Sequence, residues 1–388
     1  MGLQSRRALI VNSLTVALFA AMGARNLLIP LYADSLGATR IQVGLLFSSY
    51  FVSAACMAIP AALISNRLGQ RGVIVGALLA ADCAQLISGL SNQIWVLFGC
   101  QILGGLSFGT LQTQLLNALA QAVPARRMGT AIGLQTLTGQ LGQVGGSAAA
   151  GIALARFGLG LDLIVFSVPL TVALALAAFG FESRKSIAGP VFSTAGFVRG
   201  LLAVPRLPAL AILTFGGTLV LGTSSAYLPL FGEHGLGLSG LEIGYLLAIQ
   251  TAANAATRIP AGYFIDKVSE PTLRWLPAVG VGMYSIGLAL LPHAKTFFVV
   301  ASLLLLITPF IATAFVALPS VFVRVPLESR VIALGLYTLL ISAGNGLGPT
   351  AFGPFMERGF VEGFTATALV GVAMCGAALA LRRTTSSV

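Results

Sequence analysis

Long, uninterrupted apolar runs constrain the fold of this chain of 388 residues more than any other feature of its sequence. A helix needs about 20 apolar residues to cross the hydrocarbon core of a bilayer. Transmembrane β-strands would instead show segments of about ten residues with alternating polarity. The sequence therefore predicts an all-α membrane protein with twelve transmembrane helices. The predicted spans lie at 8–32, 41–64, 73–90, 95–119, 129–154, 161–180, 208–231, 241–264, 275–292, 296–320, 331–355 and 364–381.

Charged residues are scarce, and their placement excludes several classes of protein. They make up 9% of the chain, against roughly 25% in an average soluble domain. The net charge of +11 is spread as small groups of arginines between apolar runs and forms no basic stripe. We therefore expect the protein to lie in a lipid bilayer and not to bind nucleic acid. The four cysteines form no CxxC pair and no Cys/His cluster, so we expect neither a disulfide nor a metal site.

The distribution of basic residues predicts the orientation of the chain. With the N-terminus in the cytoplasm, sixteen of the 22 Lys and Arg residues fall in inner segments and four in outer loops. The other two, Arg25 and Arg258, lie inside spans. Cytoplasmic loops of membrane proteins carry such an excess of basic residues, so both termini are predicted to be cytoplasmic. Because arginines far outnumber lysines, we expect a bacterial cytoplasmic (inner) membrane.

The two halves of the chain repeat each other. Gly44 matches Gly244 and Pro60 matches Pro260, both at an offset of 200 residues. A parallel repeat of six spans is typical of transporters whose two halves enclose a central site. The predicted domains are an N-terminal six-helix bundle at 1–180, a cytoplasmic linker at 181–207 and a C-terminal six-helix bundle at 208–388.

The loop between the second and third spans carries a recognisable motif. Residues 62–71 read ALISNRLGQR, which resembles the loop signature G-x-x-x-D-R-x-G-R-R of the major facilitator superfamily. Arg67, Gly69 and Arg71 fit that signature. Ala62 stands where the family has glycine, and Asn66 stands where it has aspartate.

The second half keeps part of the same motif as Gly262, Asp266 and Lys267. The resemblance implies a secondary transporter with two pseudo-symmetric bundles that works by alternating access as a monomer, without a cofactor. It also implies that the loop stabilises the outward-facing state through an acidic side chain at a helix N-terminus, where the helix dipole favours negative charge. Asp266 can supply that charge, whereas Asn66 offers only a neutral acceptor.

Two further segments compare only in part with exporters of this family. Many proton-coupled exporters have an arginine in the fourth helix, where this chain has Cys100 or Gln101. The fifth span contains the segment 139–146, GQLGQVGG, and the eleventh contains glycines around Pro349. Close packing of helices through small residues is one interpretation of these glycines, and an exporter-specific role is the other.

Ionisable residues inside spans are candidates for function because burying them in a membrane is costly. We identify Arg25, Asp82 and Arg258. Gln250, Asn254 and Arg258 follow at intervals of four residues, so they share one helix face, with Arg258 near the midplane. Such a face either lines a cavity or bonds to neighbouring helices. Asp82 is a candidate either for an ion pair with Arg25 or for proton coupling.

Uncharged polar residues are predicted to line a cavity or to bond to their own helix, as Ser and Thr commonly do. Thr214, Thr218 and Ser225 share one face of the seventh span. Thr338, Ser342 and Asn345 share one face of the eleventh span. Gln101 and Gln112 are eleven residues apart and share one face of the fourth span, and Asn26 beside Arg25 is a further candidate.

The chain is predicted not to be an enzyme, since His234 and His293 are its only histidines and both lie in outward loops. It also has no phosphate-binding loop ending in G-K-[ST]. We interpret it as a secondary active transporter of a small organic solute, acting in efflux and with a candidate proton-coupling residue. The alternative is uptake or exchange of an organic anion, which the two arginines within spans favour.

Overall fold

The computed structural model describes residues 3–57, 60–123, 128–181, 207–267, 270–322 and 330–384, and within these ranges it contains no strand. The helices of the first half are α1 (Leu3–Ser35), α2 (Arg40–Met57), α3 (Pro60–Leu68), α4 (Gln70–Leu90), α5 (Ile94–Ala122), α6 (Met128–Phe157), α7 (Leu159–Val165) and α8 (Val168–Gly180). Those of the second half are α9 (Leu207–Leu230), α10 (Gly240–Lys267), α11 (Glu270–Leu290), α12 (Phe297–Phe322), α13 (Arg330–Arg358) and α14 (Phe360–Thr384). A π-helical turn (Phe231–Gly235) extends α9, and a 3₁₀ turn (Leu291–His293) extends α11.

These helices correspond to twelve spans, because α2 with α3 and α7 with α8 each make up one predicted span. The all-α fold with twelve transmembrane helices is thereby confirmed. Among the described residues, nine helical segments are long and apolar enough to cross a membrane. The other three predicted spans correspond to α6, α10 and α13, which are 30, 28 and 29 residues long.

Span 6 is interrupted, which was not predicted from the sequence. Helix α7 ends at Val165 and α8 begins at Val168, with Pro169 in its first turn. Proline is accepted in the first turn of a helix because the N–H groups there have no partner within the helix. The interruption leaves two helical pieces where a single rod was expected.

By its contacts the chain divides into two compact units. Unit 1 comprises Met1–Ala38, Ser49–Gly189 and Gly237–Ala252, and unit 2 comprises Thr39–Ser48, Pro190–Leu236 and Ala253–Val388. Helices α2 and α10 therefore contribute residues to both units. The linker predicted at 181–207 lies almost entirely outside the described residues, and the domain boundaries stay a prediction.

In unit 1, helix α1 packs along α6 and also contacts α5 and α8. A continuous apolar core joins these helices with α2 and α4. Its largest members are aromatic or aliphatic, among them Tyr50, Ile74, Phe108 and Leu170. This core packs against the buried length of α1 on which Arg25 lies.

In unit 2, helix α9 packs along α13 and α14, and α11 packs between α12 and α14. The beginning of α2 joins this unit through Arg40, whose guanidinium donates to the carbonyl oxygen of Met356 and lies over the ring of Phe360. The buried Tyr227 hydroxyl shares its one proton between the carbonyl oxygens of Arg40 and Pro349, at 2.8 and 2.9 Å.

Glycines allow the closest approaches of helices in both units. A Cβ atom at Gly142 or Gly146 of α6 would overlap the backbone of α1, and one at Gly348 of α13 would overlap the backbone of α9. Small residues let helix backbones approach closely in membranes. The glycines of the fifth and eleventh spans thus occupy the packing positions that one of the two interpretations predicted for them.

Candidate functional site

Arg25 is the centre of a buried polar cluster in unit 1. Its side chain is 4% exposed, and its Nε donates to Gln101 Oε1 at 2.8 Å while Nη1 donates to Asn26 Oδ1 at 3.2 Å. The guanidinium carbon lies 3.7 Å from the centre of the Tyr50 ring. The structure thus brings together three predicted site residues, Arg25, Asn26 and Gln101. The two residues that accept hydrogen bonds from the Arg25 cation, Asn26 and Gln101, are neutral.

A small cavity adjoins this cluster. Its volume is about 40 Å³, and its polar lining includes Arg25, Tyr50, Gln85, Ser88 and Gln101. At 10–15 Å³ for each water molecule, such a cavity has room for about three waters. Sequence reasoning missed Tyr50, because an aromatic residue within an apolar run cannot be distinguished from a packing residue.

Asp82 does not pair with Arg25 in this structure. Its carboxylate is buried and accepts a hydrogen bond from the hydroxyl of Thr171 on α8 at 2.9 Å. Among the described residues no ion pair involves Asp82, so of the two roles predicted for it the ion pair with Arg25 is not formed here. Proton coupling by Asp82 stays a prediction.

A fourth ionisable residue, Asp162, was missed. It lies on α7, within the predicted span 161–180, and its side chain is 0% exposed. Its position inside a predicted span was the signal by which the sequence could have identified it, as it identified Asp82.

In unit 2, Arg258 is half-buried on α10. Its Nε donates to Asn254 Oδ1, one turn earlier, at 2.9 Å. Arg258 interacts electrostatically with Tyr337 of α13. The Tyr337 ring packs against Phe322, with ring centres 5.4 Å apart. No described residue accepts a hydrogen bond from the terminal guanidinium nitrogens of Arg258, which are also not among the fully buried polar atoms. The cation is therefore held at one nitrogen, and its terminal nitrogens are not fully buried.

The hydroxyl row of the seventh span bonds to its own helix. Thr214 and Thr218 are buried, and their hydroxyls donate to the carbonyl oxygens of Leu210 and Thr214, each at 2.8 Å. Ser225 is half-buried. The two threonines thus form the back-bonds expected by the alternative interpretation, and lining of a cavity by this row stays a prediction.

The other polar candidates differ in exposure. Gln250 is buried, Gln112 and Thr338 are exposed, and Ser342 and Asn345 are half-buried. Gln101 and Gln112 were predicted to share one face of the fourth span, yet one is buried and the other exposed. Spacing of eleven residues aligns two side chains along a helix without giving them the same neighbours.

The motif loop between α3 and α4 turns at Gly69, whose φ of 76° lies in the left-handed region that favours glycine. Arg71 donates to the carbonyl oxygen of Ala178, and Arg67 is exposed. The side chains of Asn66 and Asp266 lie outside the described residues.

In the second copy of the motif, Gly262 has open space around it and Lys267 contacts the hydroxyl of Tyr263.

Gln70 replaces the first arginine that follows glycine in the family signature, and it is fully buried. Its Oε1 accepts a hydrogen bond from Arg7 of α1 at 2.6 Å, and its Nε2 donates to the carbonyl oxygen of Gln114 on α5 at 3.2 Å. The Gln114 amide in turn donates to the carbonyl oxygen of Ala61 at 2.9 Å. The altered motif position thus joins four helices of unit 1 through neutral amides and one arginine.

Comparison with known proteins gives the family. The sequence profile described as "Major Facilitator Superfamily" matches residues 13–349, which is most of the chain. This chain belongs to the Major Facilitator Superfamily. The resemblance seen in the loop motif is confirmed, and the protein is a multi-pass membrane transporter.

Relatives and solved structures agree with this assignment. An uncharacterized MFS-type transporter of Methanocaldococcus jannaschii is 21% identical over 362 residues, covering 91% of this chain and 92% of that protein. MdtD of Shigella flexneri, whose name refers to multidrug resistance, is 25% identical over 228 residues, which cover 59% of this chain and 44% of MdtD.

Among solved structures, a bacterial homologue of the lysosomal transporter Spinster superposes with a TM-score of 0.81 at 16% identity, covering 98% of this chain and 96% of that one. The nucleoside transporter NupG superposes with a TM-score of 0.79 at 12% identity, covering 98% and 99%. At these identities the likeness concerns the fold.

Proposed function

We propose that this transporter exports a small organic solute that carries an anionic group, and that Arg258 binds this group. The observation that carries the proposal is the bonding of Arg258. Its only hydrogen bond among the described residues goes to the neutral side chain of Asn254. Its terminal guanidinium nitrogens are not fully buried.

A guanidinium in a transmembrane helix is expensive to bury, and such groups normally pair with an acid or face a polar cavity. No described acidic side chain lies within ion-pair distance of Arg258. An anionic solute would supply the missing charge through charge-assisted hydrogen bonds, which are roughly twice as strong as neutral ones. Asn254 fixes one edge of the guanidinium, so its outer edge keeps the forked geometry that suits a carboxylate or phosphate.

The hydroxyl groups of the seventh span give weaker support to a neutral solute. Thr214 and Thr218 are buried and satisfied within α9. A buried hydroxyl that already donates to its own helix has no second proton to offer a solute. The cationic site is therefore the better-supported contact for a solute in unit 2.

Export is the direction we propose because MdtD, one of the similar proteins, is named for multidrug resistance. Uptake or exchange of an organic anion is the second candidate, and Arg258 is compatible with it as well. The direction of flux under an imposed gradient, in proteoliposomes loaded with the identified solute, distinguishes the two.

The test of the binding proposal is a thermal-shift screen of the detergent-purified protein against carboxylates, phosphates, amines and neutral solutes. We expect acids to stabilise the wild type. Removing one charge-assisted contact of about 1.5–3 kcal/mol weakens binding by about 10- to 150-fold, so Arg258→Gln should lose affinity by that factor, and Arg258→Lys should lose less.

Arg156→Gln is the matched control, because Arg156 is exposed at the end of α6. It should bind the same acids as the wild type does. A screen in which only amines or neutral solutes stabilise the protein, or an Arg258→Gln variant with unchanged affinity, would contradict the proposal.

A further inference from the structure

Asp162 is a second buried acid in the described part of unit 1, besides Asp82. It is 0% exposed, and neither of its carboxylate oxygens has a hydrogen-bond partner. It lies on α7, in a segment apolar enough to cross a membrane. The cluster around Arg25 and the site at Arg258 do not use it.

No described side chain of the elements packed against α7 forms a hydrogen bond with Asp162. These elements are α1, α4 and α6. On α1, Arg25 donates to Gln101 and Asn26. Asp34 of α1 is half-buried, and the hydroxyl of Tyr32 donates to the carbonyl oxygen of Ser91 at 2.9 Å. On α4, the ionisable Asp82 accepts from Thr171, and Cys83 is exposed. On α6, Arg156 is exposed.

The interruption of span 6 adds a second observation. The amide of Gln85 on α4 donates to the carbonyl oxygen of Leu163 at 3.3 Å, so this polar side chain serves the backbone of α7 rather than the acid. Asp162 precedes the interruption, and Thr171, the partner of Asp82, follows it. Interrupted transmembrane helices are places where membrane transporters bind ions.

An ionised carboxylate is strongly disfavoured in such surroundings. Burying a charge without a partner or donor costs far more than burying a neutral acid. Asp82 differs, since one of its carboxylate oxygens accepts a hydrogen bond from Thr171, whereas both oxygens of Asp162 lack a partner. The two buried acids of unit 1 are thus placed in unequal environments.

We propose that Asp162 is a proton-binding site of this transporter. The carboxylate takes up one proton from water to form a neutral carboxylic acid while α7 holds it buried. It gives that proton back to water when α7 moves and the carboxylate becomes hydrated. The site goes beyond anion binding by Arg258 and does not depend on it.

The first experiment follows the thermal stability of the purified protein between mildly acidic and alkaline pH. A group that is neutral when folded and ionised when unfolded stabilises the fold at low pH and loses that effect as the pH rises. The apparent Tm of the wild type should therefore fall as pH rises. Asp162→Asn should abolish most of this fall, and Asp82→Asn should retain it.

An unchanged pH dependence in Asp162→Asn would overturn the proposal, as would its loss only in Asp82→Asn. The same titration is run in sodium chloride and in N-methyl-D-glucamine chloride. Stabilisation by sodium that disappears in Asp162→Asn would assign the site to a metal cation and would also overturn it.

A second measurement does not depend on the variant folding. The wild-type protein at mildly acidic pH should show the infrared C=O stretching band of a carboxylic acid, and the band should disappear at alkaline pH. Absence of any such band at mildly acidic pH would refute the proposal. Neither measurement requires a solute. The test of the Asp162 proposal is therefore independent of the outcome of the Arg258 experiment.

Discussion

Replacement of Gly146 by alanine tests how the close packing of α1 and α6 holds unit 1 together. A Cβ atom added at Gly146 would overlap the carbonyl group of Ala20 on α1. Interiors are packed too densely to absorb such an overlap, so the two helices must separate by roughly 1 Å or more. The adjacent Gly145 is the matched control, because a Cβ there meets nothing within 4 Å.

The expected magnitude follows from the cost of overpacking. One extra methyl group in a packed site costs about 1–3 kcal/mol. With about 2–4 °C for each kcal/mol in a unit of 150–250 residues, the apparent Tm of Gly146→Ala should fall by about 2–12 °C. Gly145→Ala should keep its Tm or raise it slightly, because alanine favours a helix by up to about 1 kcal/mol over glycine.

The assay heats the detergent-solubilised variants in steps and measures the remaining monodisperse protein by size-exclusion chromatography. Identical melting curves for Gly146→Ala and Gly145→Ala would refute the packing argument. The contact between α9 and α13 in unit 2 allows the same experiment to be repeated independently. A Cβ added by Gly348→Ala on α13 would meet the carbonyl oxygen of Leu219 on α9.

Two further variants test polar contacts. Tyr227→Phe removes the hydroxyl that bonds to Arg40 and Pro349, so it should destabilise unit 2 by about 0.5–1.5 kcal/mol. A melting curve equal to that of the wild type would show that these bonds contribute nothing. Gln70→Leu removes an acceptor of Arg7 and should cost about 1.5–3 kcal/mol, as hydrogen bonds to charged groups do. A Gln70→Leu variant that melts at the wild-type temperature would contradict this assignment.

The existence of the helices was predictable from the sequence, and their ends were less so. The predicted span 8–32 corresponds to α1, which runs from Leu3 to Ser35 and is 33 residues long. At 1.5 Å for each residue α1 is about 50 Å long, whereas the hydrocarbon core is about 30 Å thick. Apolar runs report the part of a helix that lies in lipid, and polar turns that continue it leave no such signal.

Pro169 shows why the break in span 6 was missed. A proline can lie within a continuous transmembrane helix, as Pro229 does in α9, or in the first turn of a new one, as Pro169 does in α8. The segments around Pro229 and Pro169 are both apolar, so hydropathy does not distinguish these two cases. Only the packing of the neighbouring helices decides between a continuous and an interrupted rod.

The buried cluster around Arg25 was predicted in part. Residues close in sequence or alone in an apolar run, such as Asn26 and Gln101, could be identified as unusual. Tyr50 could not, because aromatic residues are common in apolar runs and only the fold brings its ring over the guanidinium. The sequence also could not show that Asp82 would bond to Thr171 rather than to Arg25.

The same spacing argument had opposite outcomes for the polar rows of the seventh and eighth spans, and the difference follows from the chemistry of the side chains. A threonine hydroxyl has one proton, and Thr218 donates it to the carbonyl oxygen one turn earlier. A guanidinium has five N–H donors and a charge, and Arg258 uses one of them on Asn254. No backbone carbonyl can neutralise the charge that remains. In a transmembrane helix, a row of polar residues therefore indicates a binding site most strongly when its members cannot be satisfied within their own helix, and Arg258 meets that condition where Thr214 and Thr218 do not.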